Sequence, residues 1–423
     1  MKIIKVTNID NFVTKILPSK PQKNHQIVQS IINQVKINGD SALKKYEKKF
    51  SGANIISFKV SQKEIKDSYQ KVSKKEILAI KLAKNRLEKT ESKIKSILKN
   101  QTINHDGIKI SKKFVPLQNI GCYIPGGLAK YPSTVIMSVI PAKVAGVKRI
   151  VVVSPPNSDG LIDPLTIVAA DICGANEIYK VGGAQAIAAL SFGTKSIPKV
   201  DKIVGPGGAF VTMAKTLVSD HTSIDMPAGP TELGIIADKS SNSLYVALDL
   251  ISQAEHSADT FCYLITNSET FAKSVNQHLK ELMNSIKRSE LVKKSLKQNG
   301  FIALCRDSES MIDLANELAP EHLQIMTKNQ QILASKITTP GLILLGNETP
   351  SSASDYILGS NHILPTNGFG KTRGSLSVLD FIKINTQVKA TKSSLTQISK
   401  LLDVFTEAEG LPNHYEAVRR RLD

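Results

Sequence analysis

From residue 119 onward, short apolar runs of strand length alternate with stretches whose apolar residues recur at helical spacing. In the first array, strand-like runs lie at 120–124, 149–154, 177–181 and 202–205, separated by helical patterns near 133–146, 161–174 and 183–192. A second array has strand-like runs at 232–237, 261–266, 301–306, 323–326 and 342–346. Because a strand that returns through a helix re-enters its sheet in the parallel direction, the alternation predicts an α/β protein with two parallel sheets in tandem.

The segments around the two arrays have other patterns. The linker at 225–232 (DMPAGPTE) is rich in turn formers, which makes it the expected crossing point between the sheets. Beyond residue 375 lie a strand-like piece at 378–384 and a helical pattern at about 393–407. This tail is too short to form a core of its own, so we expect it to pack on something larger.

The net charge of +18 is concentrated in the N-terminal region, where residues 1–100 contain 23 Lys and Arg but only 8 Asp and Glu. The lysines follow helical patterns that begin with capping boxes at Ser61–Glu64 and Ser73–Glu76. Only one of the 23 is Arg, and no nucleic-acid motif accompanies them. We therefore interpret the basic region as the solvated faces of amphipathic helices, and we expect no nucleic-acid partner.

Targeting and cysteine patterns favour a cytoplasmic protein. Residues 1–20 lack a continuous apolar stretch, and the most apolar region, 133–153, is interrupted by one proline and three basic residues. The four cysteines are scattered without a C-x-x-C pair, at positions Cys122, Cys173, Cys262 and Cys305. Neither a disulfide framework nor a thiolate zinc site is indicated, so buried free thiols and no membrane partner are expected.

Two pairs of polar residues stand out against this background. Gln253 and His256 end an apolar helical pattern, so a continuous helix would place their amide oxygen and imidazole on one face. Glu321 and His322 follow Pro320 and precede a strand-like run, which indicates a helix-to-strand junction of the kind that lines α/β clefts. The first pair predicts half of a metal site and the second an acid/base dyad. A capped helix end with a satisfied histidine is the alternative for the second.

Glycine-rich turns are the remaining candidates for binding a cofactor. No G-x-G-x-x-G occurs, and Pro365 replaces the first glycine of a P-loop before Gly370 and Lys371. Three turns follow strands and open towards helices, at 123–127, 181–185 and 205–210. Free N–H groups at such helix starts can hold a pyrophosphate, although plain strand-to-helix turns have the same pattern. Both interpretations remain open from the residues alone.

Along nearly its full length, the chain resembles the histidinol dehydrogenase family. The matching segments are 121–127 (GCYIPGG), 181–190 (VGGAQAIAAL), 200–207 (VDKIVGPG), 225–230 (DMPAGP), 252–256 (SQAEH), 320–323 (PEHL), 355–356 (DY), 359–365 (GSNHILP) and 409–414 (EGLPNH). So many ordered matches are specific. The resemblance implies a homodimeric enzyme that oxidises L-histidinol through L-histidinal to L-histidine with two NAD⁺ and one zinc ion per subunit.

The resemblance also assigns roles to individual residues. It implies that zinc binds Gln253, His256, Asp355 and His414, with His414 supplied by the other subunit. Two imidazoles and two oxygen donors suit Zn²⁺ and leave room for substrate nitrogens. It further implies that His322, near its ordinary pKa of about 6.5, accepts the alcohol proton, and that Glu321 activates the water that attacks the aldehyde.

Further contacts follow from the same match. The substrate-binding residues that it implies are Thr231, Gln253, His256, His322, Asp355, His362, Glu409 and His414. It implies NAD contacts at Tyr123, Gln185 and position 208, where the family usually has Asn and this chain has Gly208. The missing side chain predicts somewhat weaker NAD binding, since one hydrogen bond contributes roughly 0.5–1.5 kcal/mol.

The resulting prediction is an α/β fold with two tandem Rossmann-like parallel-sheet domains, a helical N-terminal region and a small C-terminal tail domain. We group residues 1–122 with 232–376 as the substrate- and metal-binding domain, assign 123–231 to NAD binding, and expect 377–423 to pack on the partner subunit. Two alternatives remain. One is a paralogous zinc- and NAD-dependent dehydrogenase for another small alcohol, which Glu409 and His362 disfavour; the other is a basic nucleic-acid-binding or scaffold protein.

Overall fold

The computed structural model describes residues 1–16, 24–126, 130–227 and 229–423. The predicted turn at 123–127 and linker at 225–232 therefore lie partly outside the described residues, at Gly127 and Ala228. The strands are β1 Lys2–Lys5, β2 Gln101–His105, β3 Ile108–Pro116, β4 Asn119–Tyr123, β5 Arg149–Ser154, β6 Glu177–Lys180, β7 Lys202–Val204, β8 Ser223–Ile224, β9 Glu232–Ile236, β10 Phe261–Thr266, β11 Phe301–Leu304, β12 His322–Ile325, β13 Leu342–Leu345 and β14 Ile382–Lys389.

The α-helices connect and cover these strands. They are α1 Ile9–Ile16, α2 His25–Ser51, α3 Gln62–Lys71, α4 Lys74–Ser96, α5 Pro132–Ala145, α6 Pro164–Cys173, α7 Gly183–Phe192, α8 Ala209–Leu217, α9 Ser243–Ala254, α10 Glu269–Leu282, α11 Ser289–Gln298, α12 Ser308–Leu318, α13 Gln330–Lys336, α14 Ser351–Ser354, α15 Lys392–Ala408 and α16 Pro412–Leu422. The predicted strands of both arrays and the predicted helices of the first agree with these elements to within a few residues at their ends.

The first array forms sheet I, whose strand order is β6-β5-β4-β7-β8 with every neighbouring pair parallel. Its central strands are apolar and buried, as expected of a sheet covered by helices on both faces. The N-terminal helices belong to this unit: α2 packs on α7 and α8, α3 on α6, and α4 on α5 and α6. Apolar residues of α2, including Val28 and Leu43, share one core with strands of sheet I.

The second array forms sheet II, with the order β1-β11-β10-β9-β12-β13, again parallel throughout. Strand β1 comes from the N-terminus and pairs with β11, while α1 packs on α12. The α/β fold with two parallel sheets is therefore confirmed. The predicted grouping of residues 1–122 with the second array differs from these contacts, because only tertiary packing decides which sheet an amphipathic helix covers.

The tail differs in part from its prediction. Residues Val378–Phe381 form a 3₁₀ turn rather than a strand, because Ser377 and Asp380 form a capping box that fixes helical geometry there. The strand begins at Ile382 and joins sheet III, an antiparallel sheet with the order β14-β3-β2. Helices α15 and α16 then pack on each other. Leu401 and Phe405 of α15 are each 69% exposed, so this apolar face is not covered by the described part of the chain.

Two further expectations concern the cysteines and the membrane. The predicted buried free thiols are confirmed, because all four cysteines are free and buried. None of the helices in the described residues combines the length and apolar character needed to cross a bilayer.

Candidate active site

The predicted dyad and three of the four predicted metal ligands meet at the amino edge of sheet II. Glu321 lies in the turn after α12, and His322 is the first residue of β12, where it pairs with Leu233 of β9. Helix α9 returns from the carboxyl end of β9, so its last turn brings Gln253 to the same edge. The predicted helix-to-strand junction is confirmed. Most open α/β sheets bind ligands at the carboxyl edge instead.

Gln253 and His256 remain neighbours, although not on one helix. Helix α9 ends at Ala254, and Glu255 is its cap. The backbone N–H of His256 donates to the carbonyl oxygen of Gln253 at 3.2 Å, which closes a turn just beyond the helix. The predicted continuous helical face is therefore wrong, because the helix ends before His256. Gln253 is buried, whereas His256 is exposed as a residue.

The imidazole of His322 lies among three acidic residues. Its Nε2 is 3.2 Å from Oδ1 of Asp355, and its Nδ1 lies 3.8 Å from Oε2 of Glu321 and 3.4 Å from the carbonyl oxygen of Glu232. Burial alone would lower the pKa of His322, but the carboxylates of Glu321 and Asp355 raise it to about 9. The expected pKa near 6.5 is therefore corrected, because the sequence did not show that both carboxylates face this ring.

Glu232 belongs to the site, although its sequence pattern predicts only the start of a strand. Its N–H donates to Oε2 of Glu321 at 2.8 Å, and the N–H of Glu321 donates to Oε2 of Glu232 at 3.1 Å. Burial raises the pKa of Glu232 to about 7 and that of Glu321 to about 8. An acidic residue opening an otherwise apolar, buried strand (ELGII) was the signal that sequence reasoning missed.

Asp355 contacts both His322 of the dyad and His362, which lies seven residues after Asp355 in the chain. It caps the short helix α14, and its carbonyl oxygen lies 2.6 Å from Nδ1 of His362. The other ring nitrogen of His362 approaches Oγ1 of Thr134, on α5 of the sheet I unit, at 3.4 Å. Burial raises the pKa of Asp355, but His322 outweighs that effect and lowers it overall. The site therefore lies where the two sheet units meet.

Several buried polar atoms at this site lack a hydrogen bond within the described residues. They are Nε2 of Gln253, Nε2 of His322 and Oδ1 of Asp355, the last two of which approach each other without hydrogen-bond geometry. Unpaired buried polar atoms are costly, so they indicate a missing partner. The amide of Gln253 can be reversed without losing its contact to Oγ of Ser351, which would present its oxygen instead.

These donors suit a divalent cation only in part. Gln253, His256 and Asp355 provide two oxygens and one nitrogen, a combination that zinc accepts. Among the described residues, however, no group of three or more His, Cys, Asp and Glu side chains is arranged to hold a metal ion. A zinc site at these three residues therefore stays a prediction.

Two predicted site residues lie on the tail. Glu409 caps α15 and His414 lies in α16, and both are exposed. Neither side chain has a hydrogen bond or ion pair with the site residues in the part of the chain that the structure describes. Thr231, in contrast, lies directly before β9 at the amino edge of sheet II. The structure thus brings together all the predicted substrate and metal residues except Glu409 and His414.

Comparison with known proteins identifies the family. A family model described as histidinol dehydrogenase matches residues 18–422. Histidinol dehydrogenases of Methanococcus maripaludis and Methanocaldococcus jannaschii are 47% and 44% identical to this chain, over 94% and 93% of it and 93% and 92% of their own lengths. The chain belongs to the histidinol dehydrogenase family. A crystal structure of the enzyme from Elizabethkingia anophelis is 36% identical, has a TM-score of 0.94, and covers 100% of this chain and 98% of its own.

Members of the histidinol dehydrogenase family are NAD-dependent oxidoreductases, and the predicted NAD contacts lie at sheet I. Two N–H groups in the turn at 181–185 are paired within the protein, and the pyrophosphate role of this turn stays a prediction. The N–H of Gly182 donates to Oε1 of Glu47 at 2.9 Å, and the N–H of Gly183 donates to the hydroxyl of Tyr123 at 3.1 Å. A carboxylate and a phenol from the protein itself therefore occupy this helix start.

The turn at 205–210 is held by the carboxylate of Asp225. The N–H of Gly205 donates to Oδ2 of Asp225 at 2.8 Å, and Asp225 forms a buried ion pair with Lys215. A Cβ at position 205 would lie 2.1 Å from the carbonyl oxygen of Tyr123, so only glycine fits there. Gly208 caps α8 without a side-chain hydrogen bond, and no atom lies within 4 Å of where its Cβ would be.

We expect Gly208→Asn to strengthen NAD⁺ binding, because position 208 has an ordinary φ of −65° and open space for a side chain. The recovered hydrogen bond should lower KM for NAD⁺ by no more than about tenfold. Steady-state kinetics with NAD⁺ varied, and KM for histidinol as the internal control, measures this. An unchanged or higher KM for NAD⁺ would contradict the prediction and show that Gly208 is already compensated.

Proposed function

We propose that this chain oxidises L-histidinol through L-histidinal to L-histidine with reduction of two NAD⁺, the final steps of histidine biosynthesis. The observation that carries the proposal is the buried dyad of Glu321 and His322 beside Asp355, in a chain of the histidinol dehydrogenase family. An oxidation of four electrons needs a proton acceptor for the alcohol and an activated water for the aldehyde. The imidazole of His322 can accept the alcohol proton, and the carboxylate of the adjacent Glu321 can activate the water.

The proposed proton transfers use the two residues in sequence. In the first oxidation, His322 accepts the hydroxyl proton while a hydride passes from the alcohol carbon to NAD⁺. Glu321 then accepts a proton from water as the water oxygen adds to the aldehyde carbon, and the protonated His322 returns its proton to the aldehyde oxygen and becomes neutral again. The resulting gem-diol gives a second hydride to NAD⁺ and a proton to His322. Since the carboxylates of Glu321 and Asp355 both raise the pKa of His322, the proposal requires that they have other partners when His322 accepts a proton.

We propose that zinc is held by Gln253, His256 and Asp355, with His414 of a second subunit as the fourth ligand. The unpaired buried atoms of Gln253 and Asp355 support this assignment. When bound, zinc supplies a Lewis-acid site that binds substrate nitrogens and orients the alcohol carbon. Thr231, His362 and Glu409 complete the proposed substrate contacts.

The proposed assembly is a cytoplasmic homodimer. Glu409 and His414 lie on a tail whose helices leave Leu401, Val404 and Phe405 exposed. Exposed apolar residues on a projecting element are typical of a surface that a partner covers. A tail that packs on a second copy would bring its two site residues to the incomplete ligand set of that copy, which also accounts for the predicted role of residues 377–423.

The decisive test of the proposed function is the amount of NADH formed from a limiting amount of L-histidinol. We expect two NADH per histidinol, with L-histidine as the product, because both half-reactions have their acid/base group. Product analysis by mass spectrometry checks the second step. A single NADH with accumulation of the aldehyde, or oxidation of other small alcohols in preference to histidinol, would contradict the proposal and favour a paralogous dehydrogenase.

The zinc assignment has its own test, which does not depend on activity. His256→Ala should lower the bound zinc per subunit, measured by elemental analysis after dialysis, from about one to well below one half. His278→Ala is the matched control, because His278 lies on α10 outside the site and pairs with Glu281. Full metal content in the His256 variant would remove this residue from the ligand set.

A further inference from the structure

Two buried acidic residues in the lysine-rich N-terminal region play no part in the proposed chemistry. Glu47 on α2 is 0% exposed and Glu91 on α4 is 3% exposed. Each follows a fully buried leucine by four residues, Leu43 in one helix and Leu87 in the other, so each continues an apolar face by one turn. A carboxylate without water must be satisfied by the protein, and the two acids meet different partners.

Glu47 reaches the proposed NAD-binding turn of sheet I. Its Oε1 accepts the N–H of Gly182 at 2.9 Å and Nε2 of Gln185 at 2.8 Å, while its Oε2 accepts the hydroxyl of Ser51 at 2.8 Å. Burial raises the pKa of Glu47, and these three hydrogen bonds act in the opposite direction by stabilising the charged form. The carboxylate lies at the N-terminus of α7, where the helix dipole favours a negative charge.

This contact fixes the orientation of the Gln185 amide. An ionised carboxylate only accepts hydrogen bonds, so the NH₂ group of Gln185 has to face Glu47 and Oε1 has to face away. Gln185 is 2% exposed, and its Oε1 has no hydrogen-bond partner among the described residues. A buried, unpartnered acceptor of this kind indicates a donor that arrives with a ligand.

The neighbouring glycine keeps this oxygen uncovered. Gly183 has a φ of +61°, and a Cβ at that position would lie 2.7 Å from Oε1 of Gln185. The hydroxyl of Tyr123 accepts the N–H of Gly183, so its own proton is directed elsewhere. The turn thus combines an unpaired acceptor from Gln185 with a hydroxyl donor from Tyr123, at the two positions proposed to contact NAD.

We propose that Glu47 is a positioning residue for the nicotinamide dinucleotide: it orients the Gln185 amide so that Oε1 accepts a hydrogen bond from the cofactor. The proposal rests on the proposed NAD-dependent function. It predicts that the negative charge of Glu47 matters through Gln185 and not through a direct contact with the cofactor. Replacement by glutamine keeps the shape of the side chain but introduces an NH₂ group, and the Gln185 amide is then free to reverse.

The test compares Glu47→Gln with Glu91→Gln. Glu91 accepts the N–H of Val378 at 2.6 Å and lies outside the cofactor and substrate sites, so it controls for loss of a buried carboxylate. Glu47→Gln should raise KM for NAD⁺, and Kd for NADH from fluorescence titration, by about tenfold, the scale of one hydrogen bond. KM for histidinol and the zinc content should not change. Glu91→Gln should leave all four quantities at their wild-type values.

A second variant shows whether the effect passes through Gln185. Gln185→Leu should raise KM for NAD⁺ to a similar extent, and the double variant should be no worse than either single one. Unchanged NAD⁺ kinetics in Gln185→Leu, or additive losses in the double variant, would overturn the proposal even if Glu47→Gln failed to fold. If the wild-type chain does not reduce NAD⁺ with histidinol, the proposed function fails instead, so the two failures are distinguishable.

Discussion

Mixing His322→Ala and His414→Ala chains is expected to restore activity that neither variant has by itself. If the tail of one subunit completes the site of the other, a heterodimer contains one site with both lesions and one site with none. Each heterodimer should then have about half the activity of a wild-type dimer, because one of its two symmetric sites is intact. The expected change from background to this level is the largest effect among our predictions.

The structure gives the reason to expect this result. His322 is buried at the amino edge of sheet II, whereas His414 is exposed on α16 and has no polar contact with the site within the described residues. The experiment needs differently tagged chains, so that heterodimers are isolated before assay, and conditions that allow subunits to exchange. Verified heterodimers that stay at background activity would show that His414 acts within its own subunit.

Glu321→Gln is expected to reduce oxidation of the aldehyde by 10²-fold or more, the usual contribution of a general base, and oxidation of the alcohol by much less. The glutamine still accepts the N–H of Glu232 through its oxygen, so the turn should keep its shape. It cannot accept a proton from water. The variant should therefore release or accumulate L-histidinal and form close to one NADH per histidinol.

Single-turnover measurements with histidinol and with histidinal separate the two steps. Glu91→Gln is the matched control, because it also removes a buried carboxylate that accepts a backbone N–H, at a position distant from the dyad in the fold. Oxidation of histidinal by the Glu321 variant at the wild-type rate would assign the activation of water to another group. Glu232 would then be the next candidate, since its carboxylate is buried beside the same turn.

The sequence predicts a site residue when the features that position it are its neighbours in the chain. Glu321 and His322 are adjacent, and their junction follows from one proline and one apolar run, so both were identified correctly as a pair at the edge of a sheet. His256 shows the limit of periodicity, because the helix that precedes it ends two residues before His256. The contact between Asp355 and His322 joins the cap of a helix to the first residue of a strand, and no spacing in the chain shows it.

The buried acids show the same limit more sharply. Glu47 and Glu91 lie in the basic region whose charged residues were predicted to face solvent, yet both are buried and accept backbone N–H groups from residues far away in the chain. Glu232 was predicted only as the first residue of a strand, yet it exchanges two hydrogen bonds with Glu321, the proposed base. A charged residue at a buried position is identified only when its hydrogen-bond partner is known, because the partner decides whether burial is tolerated.

The sequence by itself determined the class of fold, since strand-length and helix-length apolar periodicities are local properties that tertiary structure did not change. It also determined the family, because ordered motifs along the chain keep their identity whatever the packing. The tertiary structure alone decided that the N-terminal helices cover sheet I, that the site lies at the amino edge of sheet II, and that the turn at Gly182 is filled by Glu47. These outcomes depend on contacts between residues that are far apart in the chain. Buried apolar surface and paired polar groups stabilise such contacts, and no periodic pattern in the sequence indicates which residues will be partners.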